Sequence, residues 1–292
     1  MIENAQTLLR SCSPLTVSGP LCLAAILYTR GWTRLCAARP NLISPWRLTA
    51  FLAGLAVVWL SIGSPLEALD EASLTVHMVQ HVLLMSVSPP LILLGWPALP
   101  LLRGSPQSVV RRAIGPFLRL KAVKHARHLV ANPVVCWFAA ILALVVWHVP
   151  GVFEAALRRD WLHELEHASF LATGLLFWWP VVQPWPSVPR APRWSIPLYL
   201  FLATLPCDML SGFLAFCDRV VYSSHPSAPR IFGMSALQDQ ECAAAFMWVS
   251  VTVILLVPAV MVTMEILSPQ TNQPEQELRV ASAAANRCLE VL

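Results

Sequence analysis

Charged side chains are scarce in this sequence. Only 12% of its 292 residues are Asp, Glu, Lys or Arg, about half the share of an ordinary soluble domain, and mean hydropathy is +0.61. That deficit excludes a water-soluble globule and predicts an integral membrane protein. Paired cysteines are also missing. Cys12, Cys22, Cys36, Cys136, Cys207, Cys217, Cys242 and Cys288 contain no CxxC and no regular ligand spacing, so neither a disulfide framework nor a zinc finger follows. A basic leader region is lacking as well: Glu3 stands ahead of Arg10, the first arginine, so the first apolar run reads as a retained segment. There is no internal repeat.

What is abundant fits a helical bundle in lipid. The 12 Trp supply interfacial anchors, and the 25 Pro are tolerable where neighbouring helices re-satisfy freed backbone groups. A window of about 19 residues, enough to cross a hydrocarbon core of about 30 Å, selects seven segments near Pro14–Thr29, Trp46–Gly63, Leu74–Trp96, Pro133–Pro150, Leu162–Val182, Ser195–Phe216 and Glu241–Met264. The expected fold is therefore an all-α, seven-transmembrane-helix bundle over residues 1–266, followed by a weakly ordered tail at 267–292. Of the 20 Lys and Arg, 15 fall in the loops after spans one, three and five and in the tail. This bias predicts an outside N-terminus and a cytoplasmic C-terminus. The basic loop with Arg103, Arg111, Arg112, Arg119, Lys121, Lys124 and Arg127 then reads as a retention signal and a surface for anionic membrane lipid, not for nucleic acid.

Ionisable residues inside membrane segments are costly, and here they gather at one depth. His77 and His81 lie near the outer end of span three, His163 and His167 near the outer end of span five, His148 ends span four, and Asp239 opens span seven. Residues four apart share a helix face, so each pair presents two imidazoles to one ion. Two adjacent helices can offer four nitrogens, a donor set suited to copper, zinc or iron. Met85, one turn below His81, and Met247, about 10 Å below Gln240 at 1.5 Å rise per residue, extend a soft path inward. Glu164 and Glu166 are candidates to orient the second pair, Asp208 to face the cluster from span six, and Cys242 to add a donor near the mouth. His125, His128 and His225 fall in loops and read as solvated.

Two other chemistries share these residues. His163-Glu164-Leu165-Glu166-His167 has the H-E-x-x-H form of zinc metalloproteases, in which the glutamate is the general base. Histidines on facing helices also clamp haem iron, although adjacent-turn pairs suit a macrocycle less well.

The residues that carry these signals resemble the multi-spanning CtaG family of cytochrome c oxidase assembly factors of the caa(3) type. The likeness begins at Ser64-Pro65-Leu66, His77-Met78-Val79-Gln80-His81 and Ser88-Pro89-Pro90-Leu91. It continues through Trp147-His148-Val149-Pro150, Phe153-Glu154-Ala155-Ala156-Leu157, Glu166-His167 and Phe177-Trp178-Trp179-Pro180, and closes on Asp239-Gln240 and Met247-Trp248. Where a glycine-bearing stretch commonly follows the Asp-Gln pair, Glu241-Cys242-Ala243-Ala244-Ala245 stands here. The resemblance implies a non-catalytic, multi-pass factor of the bacterial inner membrane that matures a haem-copper oxidase. Its expected partners are oxidase subunits and periplasmic copper chaperones. Combined with the cluster, that role points to copper as the cargo, with His77, His81, His163 and His167 as ligands and Asp239 or His148 closing the site. Haem handling is the alternative, and zinc proteolysis the further one.

Overall fold

A computed structural model describes residues 14–39, 43–64, 66, 69, 73–120, 132–184, 192–222 and 233–268. The tail beyond 268, Pro65 and the loop residues Lys121, Lys124, Arg127, His125, His128 and His225 lie outside these. Helices are the only regular elements among the described residues, with no strand. The elements are α1 (Pro14–Ala38), α2 (Pro45–Ile62), α3 (Leu74–Leu94), α4 (Ala98–Gly104), α5 (Pro133–Trp147), α6 (Pro150–Leu157), α7 (Asp160–Val182), α8 (Ser195–Phe216) and α9 (Ala236–Leu267). Short helical turns fill 107–119 within the expected basic loop.

Local sequence sets most of these boundaries. Pro45 and Pro133 occupy first turns, where the missing N–H has no helical partner to lose, and the Asn132 side chain accepts from Val134 N–H at the start of α5. Val149 before Pro150 is extended, as steric crowding by the proline ring requires, so α5 stops at Trp147 and restarts as α6 after a bend of 75°. The expected straight span to Pro150 and the loop after it are thus corrected to a bent helix pair. Two more boundaries move. α1 meets no helix breaker after Pro20 and continues past Thr29 to Ala38, and α9 begins five residues before Glu241 because Ser235 and Gln238 form a reciprocal capping box.

Among the described residues four helices, α2, α3, α8 and α9, are long and apolar enough to cross a membrane, and the α5–α6 pair makes a fifth if taken as one span. Their outward faces suit lipid: Phe201, Leu205, Met209 and Phe213 recur every fourth residue along α8 and are all exposed. Such a continuous exposed apolar stripe is uncommon in water and marks a membrane or partner face.

α3 is central, packing against α2, α7 and α9, while α8 packs along α9 and α5 against α7. It is not a uniform helix. Pro89 and Pro90 withhold two backbone donors, and the turn before them widens into a π-turn at Leu83–Val87, with Ser88 N–H donating to Leu83 O. Gly174 lets α7 press onto this turn, since a Cβ there would stand 2.6 Å from the Met85 carbonyl oxygen.

Candidate metal centre

The start of α3 is held from outside the helix. Its N-cap Ser73 makes no capping bond of its own. Instead the Asp239 carboxylate, in the first turn of α9, accepts from Leu74 N–H (2.7 Å), Thr75 N–H (3.1 Å), Ser73 Oγ (3.0 Å) and Thr75 Oγ1 (2.6 Å). An anion at a helix N-terminus meets both the free N–H groups and the positive end of the dipole. One turn on, the buried Gln80 donates to Ser61 O of α2 at 2.8 Å, fixing the rotation of α3. These anchors aim His77 and His81 at α7.

On α7, Glu166, His167 and Phe170 turn inward. Ser169 ties this helix to α5, accepting from Trp147 Nε1 at 2.7 Å and donating to Glu166 O at 2.8 Å. At the α5–α6 bend, His148 Nδ1 lies 2.7 Å from Leu144 O. Because a carbonyl only accepts, Nδ1 carries the proton and a neutral ring leaves Nε2 with its lone pair bare, the arrangement metal-binding histidines use. Buried Tyr222, beyond the end of α8, donates to His148 O at 3.1 Å.

Five imidazoles thereby converge. Ring centroids are 4.2 Å apart for His77–His81 and 4.3 Å for His163–His167 within the helices. Across helices they are 5.6 Å for His77–His163, 5.7 Å for His81–His167 and 6.3 Å for His81–His148. His77, His81, His148 and His167 are buried, and His163 is half-buried at the rim. Glu166 lies among them with no exposure: its Oε1 is 3.5 Å from His81 Nε2 and 3.9 Å from His77 Nε2. One ligand atom each from His77, His81 and Glu166 lie within 4.8 Å of one another, close enough to share a cation. Neither Glu166 oxygen nor either His81 nitrogen has a hydrogen-bond partner, and His148 Nε2 has none either. A buried carboxylate without hydrogen bonds is costly unless a positive charge stands beside it.

The five histidines singled out in the sequence are therefore brought together. Glu166, expected only to orient a ring, stands at the centre, whereas Glu164 is exposed. Three candidates go elsewhere. Asp239 is spent on the start of α3, Asp208 Oδ1 accepts from Thr252 Oγ1 of α9 at 3.2 Å, and Cys242 is exposed with its Sγ 3.9 Å from Met234 Sδ. Met85 and Met247 do follow the cluster inward, lining with His81 and His148 a cavity of about 50 Å³. Cys207 shares that wall, a placement its sequence context did not signal. Gln240, which the sequence places beside Asp239 without a role, is buried; it donates to Leu214 O and Arg219 O and accepts from Val221 N–H, clasping the segment that delivers Tyr222.

Comparison with known proteins agrees with this geometry in extent. A family model described as cytochrome c oxidase caa3 assembly factor (Caa3_CtaG) matches residues 26–268. Uncharacterised proteins of Mycobacterium bovis and Mycobacterium tuberculosis are each 27% identical over 262 residues, covering 88% of this chain and 38% of their own length. An uncharacterised protein of Mycobacterium leprae is 24% identical over 246 residues, covering 80% of this chain and 36% of its own length. The chain thus spans well under half the length of these relatives. No solved structure matches it.

Proposed function

Because the chain belongs to the family of cytochrome c oxidase caa3 assembly factors, we propose that it carries copper for the maturation of a haem-copper oxidase. A cuprous ion is held by His77, His81, His163 and His167, with Glu166 as its counter-charge and His148 at the inner edge. The carrying observation is Glu166: a fully buried carboxylate 3.5 Å from His81 Nε2, flanked by neutral donors. A monovalent cation cancels that charge, while a divalent one leaves an excess in a low-dielectric site. Imidazoles bind copper readily, and His163 is the least buried of the five rings. The role is delivery, without catalysis.

The membrane arrangement belongs to the same reading. α1 and α7, with 25 and 23 residues, extend about 37 and 34 Å, which suffices for a span and completes seven. The 15 to 5 division of Lys and Arg then sets the cluster at the outer face of the bacterial inner membrane, within reach of periplasmic copper chaperones and oxidase subunits.

Two observations count against the other chemistries. In the H-E-x-x-H reading the general base is Glu164, which is exposed, while the buried glutamate is Glu166. For haem, imidazole rings 4.2 to 6.4 Å apart fill the space that a planar macrocycle needs. The test is metal analysis and an absorption spectrum of the detergent-purified protein. Copper without a Soret band is expected, and His77→Ala/His81→Ala or His163→Ala/His167→Ala should lower both bound copper and oxidase copper content. Metal content unchanged in both double variants, or a Soret band, overturns the proposal.

A further inference from the structure

The cavity under the imidazoles is chemically lopsided. Its upper edge is His81 and His148, and its walls carry three sulfur atoms, from Met85 on α3, Met247 on α9 and Cys207 on α8. Most of the remaining lining is aliphatic or aromatic, from Val82 and Leu144 down to Phe177 and Leu255. Three helices thus each bring a sulfur-bearing side chain to one lining. At 1.5 Å rise per residue, Met247 is about 12 Å along α9 from Asp239, and Asp239 grips the start of α3, from which Met85 is about 16 Å away. Cys207 is about 13 Å from the end of α8.

Methionine often serves as a filler of irregular gaps, yet here two methionines border a partly open pocket of about 50 Å³. That is several times the volume one water-sized sphere requires. His148 belongs to the same lining, and its Nε2 is buried and without a hydrogen-bond partner, its lone pair set free by the Nδ1 contact to Leu144 O. A buried lone pair and two thioethers around one small void make a soft, neutral donor set that favours cuprous copper over zinc or iron.

We infer that Met85, Met247 and His148 form a second holding position for a cuprous ion, one turn deeper than the imidazole cluster, so that His148 is shared between two stations. This rests on the copper reading of the cluster. Binding by thioethers and an imidazole needs no proton release and no change of oxidation state. The ion exchanges histidine nitrogens for sulfur as it moves inward or outward, and His148 stays engaged throughout.

X-ray absorption at the copper edge, on metal-free full-length protein loaded anaerobically with excess Cu(I) and washed, tests this. The wild type is expected to show sulfur scatterers besides nitrogen. Met85→Leu/Met247→Leu, which nearly conserves side-chain volume, should lose the sulfur signal and lower the tightly bound copper while keeping the nitrogen shell. Wild-type copper with nitrogen and oxygen neighbours only, or sulfur scattering that survives in the double variant, overturns the inference and leaves the cluster standing. A wild type that retains no copper overturns both. The wild-type spectrum decides even if the double variant misfolds.

Discussion

The Oε1 atom of Glu166 on α7 lies 3.5 Å from Nε2 of His81 on α3, both side chains being buried. This contact joins the two helices that carry the paired histidines, and it gives the centre its only buried carboxyl group among the described residues. Replacing Glu166 by Gln keeps the shape and removes the charge. Copper affinity, measured by competition with a coloured chelator, should fall about 10- to 100-fold, the range for loss of a supporting carboxylate at a metal site. Glu164→Gln should leave it unchanged. Equal losses in the two variants would return the glutamate assignment to the H-E-x-x-H pattern.

Asp239 is expected to act on position rather than on metal. Asp239→Ala removes the acceptor for Ser73, Leu74 and Thr75 and should cost about 1–2 kcal/mol of stability, in the range of helix N-cap losses. Unfolding in detergent followed by tryptophan fluorescence reads this. Asp239→Asn retains one acceptor oxygen and should lose less. Saturating copper stoichiometry should be the same in both, and a drop in stoichiometry would make Asp239 a ligand.

Helix spacing gives a third test. Gly174→Ala drives a methyl to 2.6 Å from the Met85 carbonyl oxygen, so α3 and α7 must part, at a cost of about 1–3 kcal/mol for an overpacked contact. Copper binding should weaken in parallel, because the two histidine pairs separate. At Gly151, where an added Cβ meets nothing within 4 Å, the same substitution should be silent.

Orientation is open to labelling. With the other cysteines replaced, the exposed Cys242 should react with a membrane-impermeant maleimide added to intact spheroplasts. Reaction only after the membrane is permeabilised would invert the proposed topology.

Spacing made the imidazoles legible from the sequence, because i,i+4 pairs are a property of one helix and survive any packing. The roles of the acids were not legible in the same way. Glu164 and Glu166 differ by two positions, so one faces the bundle and the other does not, and only the contact with α3 decides which. Asp239 stands out in the sequence as an acid at the opening of an apolar span, yet its task depends on the start of α3, 165 residues away along the chain. The bend at His148 was foreshadowed by Val149-Pro150, and the early start of α9 by the Ser235 to Gln238 capping spacing. Cys207 had no such signal, since its meaning comes from two methionines on other helices. The all-helical fold followed from composition, and the π-turn from nothing shorter than the Pro89-Pro90 pair read together with Gly174.

The clasp of Asp239 on Ser73, Leu74 and Thr75 also orders events in time. Synthesis delivers α3 long before α9, so the first histidine pair enters the bilayer with its helix end unsecured. The last helix to be made is therefore the one that secures the third, and the register of α3 at that end is settled only when the chain is nearly complete.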